Sequence, residues 1–163
     1  MVDAMHSRAA IVLLLLCGVL AAAEPDIQAL ILTGRDHHDW QATTPYLRKL
    51  LTDTGRFAVR VLEEPAGITT ETLAKYDVVI LHYNGPRWGA VAEKTVLGYV
   101  RSGKGAVAVH AATYTFAGLR VQGHEYERTE LVEPAWTEYG KMIGGHWALS
   151  PPRTGTPGAR CLR

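Results

Sequence analysis

The chain has 163 residues, of which 47% are hydrophobic and 20% are charged, with 17 basic and 16 acidic side chains. This composition is that of an ordinary globular domain and excludes disordered, collagen-like and coiled-coil chains. A net charge of +1 without a polybasic patch gives no reason to expect a nucleic-acid partner.

The N-terminus has the layout of a secretory signal peptide. An apolar run over 9–23 follows Arg8 and ends in three alanines, small residues that suit cleavage before Glu24. The run is shorter than the roughly 20 residues that a bilayer-spanning helix needs, although a retained membrane anchor is the alternative. We therefore expect residues 1–23 to be a cleaved signal peptide. The mature protein would be secreted or periplasmic and would meet a membrane only through the signal before cleavage.

The predicted elements of the mature chain begin with a strand over 27–33, an apolar run that ends at Gly34. A helix is predicted next, with Thr43 and Thr44 as its hydroxyl cap and Pro45 at its first position. This succession of strand and helix is the start of a β-α-β unit.

The same alternation continues along the chain. The sequence predicts a strand at 57–62, a helix at 70–76, a strand at 77–83, a helix at 91–101 and a strand at 105–110. Because the apolar runs are separated by helices, they predict a parallel sheet covered on both faces, with strand order 2-1-3-4. Ligands of such sheets bind beyond the carboxyl ends of the strands, so chemistry is expected there.

Histidines follow three of the four predicted strands. His37 and His38 follow the first strand, His82 lies at the end of the third, and His110 ends the fourth. Imidazole exchanges protons near neutral pH and is the commonest metal ligand. We therefore expect a histidine-rich site at this edge of the sheet. The alternative is a set of hydrogen-bonded histidines that only support the fold.

His110 has the most specific position. A strand that turns sharply through small residues presents its last side chain at the top of the sheet, as a nucleophile elbow does. The nucleophile at such a turn would be serine or cysteine, and here the residue is histidine. The predicted role of His110 is therefore that of a general base or a metal ligand.

A second motif is a short helix that ends at Gly144 and Gly145, with His146 directly after them. These glycines would either let the backbone approach a ligand closely or simply end the helix. The four tryptophans also lie near the predicted loops, where their rings would suit either sugar faces or a core: Trp40, Trp88, Trp136 and Trp147.

Four blocks of sequence, in their order and spacing, resemble the trehalose-utilisation (ThuA-like) domain: ILTGRDHHDW, YDVVILHYNG, GKGAVAVHAAT and WTEYGKMIGGHW. The resemblance covers residues 26–149, about the first two thirds of such a domain. It implies the class I glutamine amidotransferase-like fold, a flavodoxin-like three-layer α/β sandwich with a parallel sheet. It also implies a role in carbohydrate catabolism, with trehalose, a related glycoside or an oxidised sugar as the small-molecule partner.

In that superfamily the amidotransferases have their catalytic cysteine where this chain has His110. The resemblance therefore implies hydrolase- or lyase-like sugar processing if the protein is an enzyme, and not cysteine-dependent amide transfer. A non-catalytic carbohydrate-binding or assembly module on the same fold is the alternative.

His110 is the expected catalytic residue. The expected substrate-binding residues lie in the loops at the carboxyl ends of the strands: Asp36, His37, His38, Asp39, Trp40, His82, Asn84 and His146. Zinc, as an example of a divalent metal, would take its ligands from four histidines: His37, His38, His110 and His146.

The last part of the chain differs from the family pattern. Relatives usually continue through further strands with a His-Pro pair, and none follows here. We expect residues 24–149 to form the domain. Residues 150–163, rich in proline and glycine, are expected to be an irregular tail from a truncated or frame-shifted end.

Overall fold

The structure is a computed structural model that describes residues 25–113, 115–116, 135–149 and 159–162, of which 146–149 and 159–162 are described as backbone only. The expected signal peptide at 1–23 lies outside these ranges. Within them, every helix is too short or too polar to cross a lipid bilayer.

Strands and helices alternate along the first two thirds of the chain. The strands are β1 (Ile27–Leu32), β2 (Phe57–Leu62), β3 (Val78–Leu81), β4 (Gly105–Ala108), β5 (His146–Leu149) and β6 (Ala159–Leu162). The helices are α1 (Trp40–Thr52), α2 (Thr70–Ala74), α3 (Ala90–Arg101) and α4 (Thr137–Met142), with short 3-10 turns at Pro65–Gly67 and His110–Thr113.

The first four strands form one parallel sheet in the order β2-β1-β3-β4. This confirms the predicted α/β class and the predicted strand order. The pairing continues past the strand ends, because the backbone N–H of His82 donates to Leu32 at 2.9 Å and that of Val109 donates to Leu81 at 2.9 Å. The carboxyl ends of β1, β3 and β4 therefore lie side by side at one edge, here called the rim.

Both faces of the sheet are apolar because successive side chains of a strand point to opposite faces. On one face, Leu30 and Leu32 pack in a large cluster with residues of α2, α3 and α4. On the other face, Ala29 and Ile31 pack in a small cluster against α1. The helices thus form a layer on each side of the sheet.

Helix α1 begins earlier than predicted. The sequence predicts a cap at Thr43 and Thr44, whereas the helix begins at Trp40 and its cap is Asp39, whose carboxylate accepts from the N–H of Ala42 at 3.0 Å. Pro45 consequently lies inside the helix and not at its first position. The prediction was wrong because a loop aspartate satisfies the first turn, and the second turn accommodates proline.

The predicted tail is not wholly irregular. Ala159–Leu162 form β6, which pairs antiparallel with β5 in a separate two-stranded sheet. In this register Cys161 lies opposite Trp147. Residues 150–158 lie outside the described residues.

Candidate functional site

Three histidines come together at the rim. One ring nitrogen from each of His37, His38 and His110 lies within 4.8 Å of the others. The ring centroids of His37 and His38 are 3.8 Å apart, and those of His38 and His110 are 4.9 Å apart. His37 is half-buried and the other two are exposed. We call these three residues the histidine cluster.

The backbone at His110 is unusual. Its φ of 46° lies in the left-handed region, which residues other than glycine rarely adopt and which costs about 1–3 kcal/mol at such positions. The turn is held from below, because Ala111 and Ala112 are fully buried and the Tyr139 hydroxyl donates to the Ala112 carbonyl at 2.8 Å. A sharp, anchored turn therefore presents the imidazole of His110 at the rim.

Asp36 organises the other two histidines. Its side chain is only 3% exposed, and its Oδ1 atom lies 3.1 Å from Nδ1 of His37 and accepts from the N–H of His38 at 3.0 Å. A carboxylate beside a ring nitrogen is a common arrangement behind metal-bound histidines. Asn84 also lies 3.1 Å from Nδ1 of His37 through its Nδ2 atom.

The pair His38 and His110 meets nitrogen to nitrogen, with their Nε2 atoms 2.9 Å apart. At that distance one ring must donate and the other accept, so the two imidazoles hold a single proton between them. A metal ion can take the place of that proton, because each ring then offers a lone pair. The geometry therefore suits metal binding, and equally the uptake or release of one proton.

His82 lies behind the cluster. It is buried, and its two ring nitrogens face hydroxyls of α1: Nδ1 lies 3.1 Å from Oγ1 of Thr44, and Nε2 lies 3.4 Å from Oγ1 of Thr43. Burial is the main cause that lowers the pKa of His82 from its ordinary value of 6.5, against the opposing charge of Asp36. Its hydrogen bonds and lowered pKa make it a neutral support of the rim.

Sequence reasoning missed the residues that hold His82. Thr33 and Thr44 are both buried, and their Oγ1 atoms lie 3.1 Å apart. This contact extends the hydrogen-bond chain from His82 into the layer between the sheet and α1. The two-residue alternation of side chains along a strand indicates this burial, because Ile80 and His82 must point to the same face as Ile31 and Thr33. The pattern around Thr43 and Thr44 instead predicts a helix cap.

The other predicted binding residues differ in their positions. Asn84 is half-buried beside His37 and accepts from the hydroxyl of Thr115 at 3.4 Å. Asp39 is exposed and caps α1, and Trp40 is the first residue of that helix. The structure gives His146 a backbone position at the start of β5 and does not describe its side chain.

Two of the tryptophans belong to the core. Trp88 and Trp136 are each 5% exposed and pack edge to face with ring centroids 6.2 Å apart. Phe116 packs edge to face against Trp88 and against Tyr139, with ring centroids 5.0 Å apart in each pair. These rings support the turn at His110 and are closed to a ligand at the rim.

The fold is similar to that of two solved structures. A ThuA-like protein from Parabacteroides merdae ATCC 43184 matches with a TM-score of 0.58 and 24% identity, over 84% of this chain and 47% of its own. A ThuA-like protein from Bacteroides uniformis ATCC 8492 matches with a TM-score of 0.55 and 21% identity, over 83% of this chain and 52% of its own. The chain thus spans about half the length of these relatives.

No curated protein matches the chain. The family model described as ThuA, trehalose utilisation, matches residues 28–158, which include all of β1 except its first residue, β2 to β5 and the histidine cluster. The protein therefore belongs to the ThuA trehalose-utilisation family.

Proposed function

We propose that the protein binds a divalent metal such as zinc at the histidine cluster and there processes a sugar or glycoside. The convergence of His37, His38 and His110 on one point of the rim carries the proposal. Membership of a family described by trehalose utilisation supports carbohydrate as the substrate class.

The distances suit a zinc site. Ligand atoms around a tetrahedral zinc lie about 3.3 Å apart when each bond is roughly 2.0–2.1 Å. The Nε2 atoms of His38 and His110 are 2.9 Å apart, and both side chains are exposed, so small rotations bring them to that separation. Catalytic zinc sites commonly have three protein ligands and leave the fourth position for water or substrate.

Zinc, when bound, would polarise a substrate oxygen and lower the pKa of a bound water. The chain's own residues orient the site: Asp36 holds His37, and the backbone turn holds His110. In the metal-free site, the same Nε2 atoms of His38 and His110 could instead accept or return a proton, as hydrolase- or lyase-like chemistry on a sugar requires.

Export is part of the proposal. The apolar run over 9–23 after Arg8 has the features of a cleaved signal, and a sugar-processing protein of this kind would then act outside the cytoplasm. N-terminal sequencing of the mature protein tests this, with Glu24 as the expected first residue. A mature chain that still begins at Met1 would contradict export with cleavage.

Metal binding is tested by metal content and by zinc titration of the full chain. We expect one zinc per chain in the wild type and at least a hundredfold loss of affinity in His110→Ala and in His38→Ala. His110→Gly, which suits the left-handed backbone, separates the loss of the imidazole from any loss of folding. Val91→Ala, at an exposed position on α3, is the control.

Asp36→Asn keeps all three imidazoles and removes only the charge of the carboxylate behind His37. Because such supporting groups typically contribute 10- to 100-fold to metal affinity, we expect a loss of that size. Unchanged zinc stoichiometry and affinity in His110→Gly would overturn the metal site. Zinc binding with sugar binding but no turnover, for trehalose and a panel of glycosides, would indicate a binding module.

A further inference from the structure

A groove runs down one side of the molecule from the rim. It lies between α1 and the edge strand β2, has a volume of about 650 Å³, and is open to solvent. Its walls include Trp40, Thr44 and Arg48 from the helix, with Val61 and Glu63 from the strand and the residue after its end. Its size falls within the range of small-molecule sites.

The groove is elongated along the helix. Trp40, Thr44, Arg48 and Thr52 recur every four residues and so lie on one helical face. At 1.5 Å per residue, this row extends for about 18 Å. A ligand that fills the groove must therefore be long.

The upper end of the groove adjoins the histidine cluster. Trp40 is two residues after His38, and its backbone N–H donates to the His38 carbonyl at 2.9 Å. Thr44 contributes to the groove wall and also bonds His82 behind the cluster. Trp40 thus connects the groove to the loop that carries His37 and His38.

The charges in the groove are balanced. Lys49, also in the wall, pairs with Asp53 at 2.7 Å. Among the residues that the structure describes, neither Arg48 nor Glu63 forms an ion pair. One guanidinium and one carboxylate favour an uncharged ligand over an anion or a cation, and together they offer donors and acceptors to neighbouring hydroxyls.

The remaining feature is an aromatic ring. Trp40 is half-buried, so part of its indole is accessible in the groove. Aromatic rings supply large apolar contact with little loss of side-chain freedom, and the C–H face of a pyranose is apolar. An uncharged sugar ring, which has hydroxyls around its edge and an apolar face, matches this combination of side chains.

We infer that the groove is a glycosyl subsite, which binds the second and following rings of a neutral oligosaccharide whose first ring lies at the histidine cluster. Trp40 provides the stacking surface, while Arg48 and Glu63 hydrogen-bond ring hydroxyls. This inference rests on the proposed function, since it assigns the substrate a length of two rings or more. The three residues bind and position the substrate, and none of them is a catalytic residue.

The test is calorimetric titration of the full chain, with and without zinc, by glucose, trehalose and maltotriose. We expect the affinity of the wild type to rise at least tenfold from one ring to two. Trp40→Ala should abolish that increase and leave glucose binding within twofold, whereas Trp40→Phe should retain most of it. Arg48→Ala should lose part of the increase. Arg60→Ala, an exposed arginine of β2 outside the groove wall, should lose none.

The outcomes distinguish this inference from the proposed function. Equal affinity for glucose and for the longer sugars would overturn the subsite and leave the histidine cluster unaffected. Failure of all three sugars to bind the zinc-loaded protein would overturn both the subsite and the carbohydrate part of the proposed function. Loss of zinc from Trp40→Ala would show that Trp40 supports the cluster, and would overturn its assignment to the groove.

Discussion

The two faces of the sheet differ in how much they bury and in what they bury. Among the described residues, the face under α2, α3 and α4 has a cluster of fifteen buried apolar side chains, five of them aromatic rings near the rim. The face under α1 has a cluster of four. There, the buried layer nearest the rim is polar and consists of Thr33, Thr44 and His82.

The difference separates stability from chemistry. The face under α2, α3 and α4, here called the aromatic face, holds the turn at His110 through Tyr139. One member of the histidine cluster is therefore fixed by the main core. His37 and His38 instead lead into α1, whose one buried residue is Thr44. The cluster therefore combines one anchored imidazole with two that depend on a thin and polar layer.

The largest effect is expected when a leucine is truncated on each of the two faces and the losses of stability are compared. Leu73 is 1% exposed on the aromatic face, and Leu73→Ala should lower the free energy of unfolding by about 2–5 kcal/mol. Leu47 is half-buried on the face under α1, so Leu47→Ala should lower the free energy of unfolding by much less. Urea denaturation of both variants measures the comparison. Equal losses would show that the α1 face contributes as much to stability as the aromatic face.

A smaller effect is expected at the link between the aromatic face and the rim. Tyr139→Phe leaves the buried Ala112 carbonyl without its donor, which should cost about 1–3 kcal/mol. Tyr46, 70% exposed on α1, provides the matched control, because Tyr46→Phe removes a hydroxyl at the surface. If thermal unfolding shows the same stability for both variants, the bond to Ala112 does not anchor the turn.

On the α1 face, the cap of the helix should matter by about 1 kcal/mol. Asp39→Ala removes the carboxylate that accepts from Ala42, a typical loss for a helix N-cap. Asp53→Ala, at the other end of the same helix, is the comparison and should cost less, since its partner Lys49 is 72% exposed. A larger loss from Asp53→Ala in urea denaturation would contradict the assignment of Asp39 as the cap.

The smallest effect concerns pH. The pKa of His82 is lowered in the folded protein. The unfolded chain therefore binds more protons than the folded one when the pH falls below 6.5, the ordinary pKa of histidine. Stability is thus fully present above about pH 6.5 and decreases as the pH falls below it. We expect the decrease in melting temperature between pH 7.5 and 5.5 to be smaller in His82→Asn than in the wild type. An identical decrease would show that His82 is not the group responsible.

The parallel sheet could be predicted because apolar runs without polar alternation, separated by helices, have few other solutions. The convergence of His37, His38 and His110 followed from the same topology. The burial of His82 could also have been obtained, since the two-residue period of β3 places it under α1. Each of these inferences depends only on the strands.

Features set by local hydrogen bonds or by distant pairing were harder to predict. Asp39 competes with Thr43 as a helix cap, and nothing in the sequence shows which side chain meets a free N–H. Trp88 and Trp136 have the same residue type as Trp40, but only tertiary packing places them in the core. The pairing of β6 with β5 joins segments that have no shared pattern.

The left-handed backbone at His110 also bears on redesign of the protein. Since the turn is anchored by buried alanines and by Tyr139, the direction of the side chain at this position comes from the main chain and not from the imidazole. Asparagine and aspartate tolerate the same backbone region. An amide or a carboxylate introduced there would project towards His38 from the same point, so the chemical group at the rim can be exchanged without rebuilding the sheet.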